Sequence, residues 1–433
     1  MAWDFSTEPE FEEKLAWMRE FVREEVWPIE TIGEEITQAQ LDAIYAPLRA
    51  EVKRQGLWAA HLPPELGGQG FGQVKLGLMH EILGSSMYAS NAFGCQAPDS
   101  GNAEILALAG TPVQKERWLE PLLAGDLFSA FSMTEPDTPG SDPTQLRTRA
   151  RRDGDGWVLD GHKWFTSNGS IADFLIVMAV TDPNARPHAR ASMFIVPVDT
   201  PGVRILRDVP NMEHPYEKPP FLGGHSEILY EDVRLPADAL LGGEGEGFVI
   251  AQKRLVPGRI HHCMRWLGIA RRAFDAMAER ATYRPVKGGL LADQQTVQAW
   301  IADSAAEMQA ARLMTLHAAW KMDRFGSSAA RTDVSMIKFF GAKVVHDVVD
   351  RAVQIHGALG YSADMPLEFL YRFVRHARFV DGADEVHRES VARALLREVA
   401  PPADGVPTDH VPTRKQAALV KFASMLEPAA VQA

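Results

Sequence analysis

FSMTEPDTPGSD, residues 131–142, marks the point where the chain changes character. The segment gathers hydroxyls, small residues and two prolines, Pro136 and Pro139, which fix loop geometry and let backbone amides and hydroxyls face a ligand. Upstream, from Phe11 to about Gly125, apolar residues recur at helical spacing, as in Leu15, Met18, Phe21, Val22 and Val26. Breaks are expected at Pro28, at Pro63-Pro64 with Gly67-Gly68, and at Thr111-Pro112. Downstream lie short β-rich runs at 157–159, 174–180, 191–198 and 228–233, and Asp160-Gly161 predicts a hairpin turn between 157–159 and 163–165. From about Gly247 helical periodicity returns over 248–283, 291–325 and 333–355, lengths that usually pack as a bundle. After Pro401-Pro402 a Pro-rich stretch leads to a last helical segment, 414–426. The order helical, β, helical predicts a mainly α protein with a central β domain. The expected divisions are an N-terminal helical domain over 1–127, a middle β domain over 128–240, a C-terminal bundle over 241–400 and an extension over 401–433.

At 433 residues the chain is too long for one simple core, and 46% hydrophobic with 24% charged residues describes an ordinary soluble globular protein. A net charge of −12 disfavours a nucleic-acid partner, and no apolar run approaches the length of a membrane span. The opening MAWDFSTEPEFEEKLAWMREF is acidic and amphipathic, with neither the layout of a signal peptide nor an arginine-rich transit segment. Cys95 and Cys263 alone make no disulfide framework and suit a reducing compartment, so a cytoplasmic location is expected.

Taken alone, Thr134-Glu135-Pro136 is a polar connector. The full string resembles the TEPxxGSD signature of the acyl-CoA dehydrogenase family, and further elements follow in order. These are GHKWFTSNG at 161–169; GGHSEILYEDVRLPADALLGGEGEGF at 223–248, similar to FEDVRVP...LGEGxGF; and QIHGALGY at 354–361 with Tyr371-Arg372, similar to QxxGGxGY...YRD. The resemblance covers nearly the whole chain. It implies the fold of that family: an N-terminal helical domain, a middle β-barrel-like domain and a C-terminal four-helix bundle. It also implies FAD as cofactor, a fatty acyl-CoA as substrate, an electron-transferring flavoprotein as acceptor, and a homodimer or homotetramer.

Carried over position by position, the resemblance places Phe131, Met133 and Thr134 at the flavin ring and Ser141 near its pyrophosphate and the substrate. Phe165 takes the place of an aromatic, usually Trp, that covers one flavin face, and Ser167 that of the hydroxyl bonded to flavin N5. Arg284, with Gly288 and Gln295, resembles the RxxFG...Q element that holds the FAD of a neighbouring subunit, although Lys287 stands where the family has Phe. Gln354, Gly357 and Gly360 approach that same cofactor.

Removing an α proton from a thioester needs a carboxylate over the α carbon and fixed donors on the carbonyl oxygen. FVDGADEVH at 379–387 matches the segment that carries the family's base, usually Glu, and puts Asp381 in that role. Taken alone it is a turn and a helix cap. The Asp381 backbone N–H, Gly382 and Arg259 are then expected at the thioester, while Asp384 and Glu385 turn away. A branch that places its base on the first bundle helix would use the position of Gly258, which cannot serve. RLVPGRIHHCMR at 254–265 is similar to acyl-CoA dehydrogenase members ten and eleven, a branch linked to longer and hydroxylated acyl-CoAs. No metal site is expected of His261, His262 and Cys263, because neighbours on a helix diverge by about 100°. A flavin oxidase on the same fold and an inactive helical scaffold remain as alternatives, the latter suggested by Phe165 and Lys287.

Overall fold

Helix α1, Pro9–Phe21, begins with a proline where a missing N–H costs nothing, and buries Phe11, Leu15, Met18 and Phe21 along one face. The computed structural model describes residues 6–215 and 224–426. The break expected at Pro28 does not occur. A π-helical turn, Val22–Val26, carries the chain directly into the helical segment Trp27–Ile32, and Pro28 lies in its first turn. Helix α2, Gln38–Arg54, opens on a capping box between Thr37 and Gln40. Helices α3, Gly72–Leu83, and α4, Asp99–Ala109, complete the part of the N-terminal region that bears on the site.

The sheet comprises β1 (Ser129–Ser132), β2 (Arg149–Asp153), β3 (Gly156–Ser167), β4 (Phe174–Val180), β5 (Ala191–Pro197), β6 (Val203–Asp208), β7 (His225–Leu235) and β8 (Leu240–Leu241). Its order is β6-β7-β3-β2-β4-β5-β8, with β1 pairing in parallel with β4. Strands β4 and β5 are continuous apolar runs because both faces are covered. One face meets Trp157, Tyr230 and Val233. The other meets Ile105, Leu106, Leu119 and Ile250 from helices.

The hairpin expected at Asp160-Gly161 is not there. β3 runs straight through it, with a register irregularity against β7 between Leu159 and Gly161, and the turn lies at the earlier Asp153-Gly154, where Gly154 has φ +59°. Asp160 instead accepts a hydrogen bond from the Asp232 N–H at 2.8 Å, and Gly161 is needed because a Cβ there would lie 2.3 Å from Thr148 Oγ1.

Three long helices follow: α5 (Gly247–Tyr283), α6 (Gln295–Phe325) and α7 (Arg331–His356). Two shorter ones, α8 (Leu367–Val374) and α9 (Asp384–Arg397), come after them. The bundle and the N-terminal helices share one core, in which Met18, Leu41 and Met79 cluster with Met264, Trp266, Leu316 and Val345. Residues through Arg388 form one compact unit. A second unit begins at Glu389 and contains the helices Val411–Lys421 and Ala423–Leu426, with Val411, Val420 and Met425 exposed. Among the described residues no helix is long and apolar enough to cross a membrane.

Candidate active site

The turn between α8 and α9 holds Asp381 in the left-handed region at φ +53°, followed by Gly382 at +106°. An aspartate tolerates that conformation better than most residues. Gly382 is required, since a Cβ there would lie 2.8 Å from His387 Nε2. The Asp381 carbonyl accepts from Arg259 Nε at 3.0 Å and Nη2 at 2.9 Å, and His387 Nε2 lies 3.2 Å from it. With the backbone held this way, the carboxylate is turned inward: Oδ2 lies 3.3 Å from His262 Nε2, and the side chain is 19% exposed. Burial alone would raise its pKa, but His262 and the cations Arg254, Arg259 and Lys338 outweigh burial and hold it below its ordinary value.

The neighbouring carboxylates do not compete. Asp384 is buried and pairs with Arg378 Nε at 2.8 Å, and Glu385 is exposed. Gly258, at the alternative base position, has open space beside it. The triplet 261–263 faces three ways: His261 Nε2 lies 3.0 Å from Gln73 Oε1, His262 faces Asp381, and Cys263 Sγ points to the Ile337 carbonyl at 3.5 Å.

The sheet contributes the loop that follows β1. Its anchor is a buried ion pair between two residues of the quoted motifs to which the motifs themselves assign no role. Lys163 Nζ meets Glu135 Oε1 at 2.9 Å and donates to the Met133 carbonyl at 2.8 Å, while the Glu135 carboxylate also accepts from the N–H groups of Arg147 and Thr148. Trp164 N–H donates to the Thr134 carbonyl at 3.0 Å, so Met133 and Thr134 are fixed beside β3. Between Lys163 and Thr166 the β3–β7 register shifts, and Phe165 sits in that irregularity at φ +49° and 39% exposed. A core aromatic would be buried; this one is strained and turned outward, a combination that marks functional positions. Ser167 Oγ lies 2.9 Å from His225 Nδ1, and the His225 ring is 5.5 Å from that of Phe165. His225 lies in the motif at 223–248 but carried no role there; strand pairing brings it to Ser167.

Two bridges join rim and turn. The Arg254 guanidinium lies 4.3 Å over the Phe131 ring and its charge reaches Asp381. On the other side Glu213 meets His376 Nδ1 at 3.1 Å, and its charge reaches His225. The expected residues Phe131, Met133, Thr134, Phe165, Ser167, Arg259, Asp381 and Gly382 are thus gathered in one region, with Ser141 exposed on the loop from that rim.

Arg284, Gln295, Gln354, Gly357 and Gly360 are not brought to it. Arg284 caps the far end of α5, 21 helical residues beyond His262 at its last turn, or about 30 Å along the axis. The charge of Arg280 in that last turn reaches His356, so the end of α7 lies at the same end of the bundle. There Gln354 and Gly357 are exposed, Gly357 at φ +62°, while Gly360 is buried with no room for a Cβ against the Val353 carbonyl. Gln295 opens α6 and is exposed. Of the motif at 223–248, Gly223 lies outside the described residues.

Models of the acyl-CoA dehydrogenase N-terminal, middle and C-terminal domains match residues 8–126, 130–216 and 245–396. A Mycobacterium tuberculosis protein named "Probable acyl-CoA dehydrogenase FadE2" is 46% identical over 82% of this chain and 86% of its own length. The chain belongs to the acyl-CoA dehydrogenase family. Acyl-CoA dehydrogenase family members 11 and 10 of Mus musculus are 39% and 41% identical over 90% and 87% of this chain. The chain spans 51% and 36% of those two proteins. Among solved structures, butyryl-CoA dehydrogenase from Megasphaera elsdenii aligns with a TM-score of 0.78 at 29% identity, covering 91% of this chain and all of that one. A glutaryl-CoA dehydrogenase from Mycobacterium smegmatis in complex with FADH2 aligns at 0.77 and 26% identity, over 91% of this chain and 96% of that one.

Members of this family depend on FAD, and the rim suits it. An outward-turned aromatic beside hydroxyls of Thr134 and Ser167 complements a planar ring with a polar edge.

Proposed function

We propose that this acyl-CoA dehydrogenase family member oxidises a fatty acyl-CoA thioester to the 2-enoyl-CoA, with Asp381 as the base that takes the α proton. One observation carries the reading: the Asp381 carboxylate, its backbone locked by Arg259 and His387, is turned inward to His262, and Arg254, whose charge reaches it, lies over the Phe131 ring of β1. The carboxylate is held ionised, the form a base needs. Bound substrate would displace water, raise the pKa of Asp381 and strengthen it as a base. The N–H groups of Asp381 and Gly382 donate no hydrogen bond among the described residues and are suited to the thioester carbonyl oxygen. FAD, when bound, supplies the acceptor for the β hydride at N5.

Phe131, Met133, Thr134 and Ser167 would border the flavin ring, Phe165 would cover one face, and Ser141 would serve its pyrophosphate and the substrate. Arg284, Gln295, Gln354, Gly357 and Gly360 would serve the FAD of a second subunit; their separation of about 30 Å along α5 from the Asp381 site supports this reading and with it a homodimer or homotetramer. Electrons would leave to an electron-transferring flavoprotein.

The test is anaerobic mixing of the purified yellow protein with saturated acyl-CoAs of graded length. Flavin bleaching with formation of 2-enoyl-CoA is expected, and Asp381→Asn should keep its FAD yet fail to bleach. Bleaching by nitroalkanes with rapid peroxide formation in air would point instead to an oxidase, and a colourless protein that cannot be reconstituted to a scaffold.

A further inference from the structure

His262 is three residues from Arg265 on α5, and the two face each other: Arg265 Nη2 donates to His262 Nδ1 at 3.0 Å. A guanidinium has only donors, so Nδ1 must be the accepting nitrogen and the ring proton must sit on Nε2. Nε2 is the atom 3.3 Å from Asp381 Oδ2. The other arm of Arg265, Nη1, donates to His80 Nδ1 at 3.2 Å, and His80 stacks on His261 with ring centres 4.4 Å apart. His261 is tied in turn to Gln73 on α3, which pins this string between two helices.

We infer that His262 is the positioning residue for Asp381: a neutral imidazole with its tautomer fixed by Arg265 and its Nε2–H facing Oδ2 at 3.3 Å, which leaves Oδ1 free for the substrate. This rests on the reading of Asp381 as the base. A second proton on His262 would set Nδ1–H against the Arg265 N–H and add a cation beside Arg254 and Arg265. Burial first, and then Arg265, push the His262 pKa down to about 3, so the ring stays neutral wherever the enzyme is folded near neutral pH. Asp381 is faced by His262, Arg254, Arg259, Cys263 and Arg265 from α5, by Lys338 from α7 and by His387 from α9. Of these, His262 is the one whose ring nitrogen lies within 4 Å of a carboxylate oxygen, so it is the group that can set the rotamer.

Two measurements on the FAD-loaded protein test this without turnover. Imidazole 15N shifts of the wild type, with His262 assigned by its loss in His262→Gln, should show the neutral Nε2–H tautomer from pH 7 to 5. An imidazolium or an Nδ1–H tautomer at pH 7 overturns the inference. Carboxyl 13C titration, with Asp381 assigned by its loss in Asp381→Asn, should show the pKa rising by about one unit or more in His262→Phe and staying near wild type in His262→Gln, which keeps an N–H donor. Equal titration of His262→Phe and wild type, or an equal rise in both variants, overturns it as well. Wild-type protein that shows both signatures but never bleaches with acyl-CoA would sink the proposed reaction while leaving the His262–Asp381 relationship standing.

Discussion

Arg259 grips the backbone of Asp381 rather than its side chain, placing Nε and Nη2 at 3.0 and 2.9 Å from one carbonyl oxygen across 122 positions of sequence. The carboxylate is therefore aimed by the α5 helix, and the left-handed turn at Asp381 and Gly382 is kept by a forked contact that does not neutralise the base.

Arg259→Lys should therefore impair the chemistry more than the fold. A lysine keeps the charge but gives up the fork, and misplacement of the base by about 1 Å costs about 100-fold in rate. Stopped-flow bleaching should slow by about that factor while flavin content stays at the wild-type level; an unchanged rate would remove Arg259 from the positioning of Asp381.

Lys163→Met leaves the buried Glu135 carboxylate with two backbone donors and no cation. Breaking such a pair from one side costs about 3–5 kcal/mol. Urea denaturation should show this loss, and Glu135→Gln with Lys163→Met should recover part of it. A double variant no more stable than Lys163→Met alone would show that the pair is not the origin of the cost.

Acid should destabilise the protein through its buried histidines. Burial holds His262 at about 3 and His80 and His261 well below their ordinary value of 6.5, so folded rings are neutral where unfolded ones bind protons. Unfolding then takes up protons, and the stabilisation present above pH 6.5 is lost as pH falls from there towards the folded values. The Tm should drop between pH 7 and 5, and drop less in His262→Gln, which removes one of these groups. A parallel pH dependence in wild type and variant would exclude His262 as a contributor.

The two Asp-Gly pairs should respond differently to alanine. At Gly161 the new methyl would meet Thr148 Oγ1 at 2.3 Å, an overpacking that costs about 1–3 kcal/mol. At Gly154 the space is open and only the positive φ resists, for about 1 kcal/mol. Thermal melts that rank Gly154→Ala as the more damaging change would contradict the strand path through Asp160-Gly161.

Much of the architecture was legible in the sequence because it is written locally. Helical periodicity over 248–283 and 333–355 reappears almost residue for residue in α5 and α7, and the apolar runs of β4 and β5 stand where they were read. Strands β2 and β6 escaped notice because RARRD and VRILRD are mostly exposed and bury too little apolar surface to show a pattern. Asp160-Gly161 misled for a related reason: the same dipeptide serves a turn or a bulge, and the partner strand decides which.

By itself the sequence determined the long helices, the apolar strands and the family motifs, and through those motifs singled out Asp381 as the proposed base, since each is carried by residues close together in the chain. Only the tertiary structure decided what surrounds that carboxylate. His262 had suggested nothing beyond a diverging triplet, and Glu135, Lys163 and His225 stood within family motifs without a role of their own, because their meaning arises from contacts across 28 to 119 positions, at distances fixed by how helices pack and strands register.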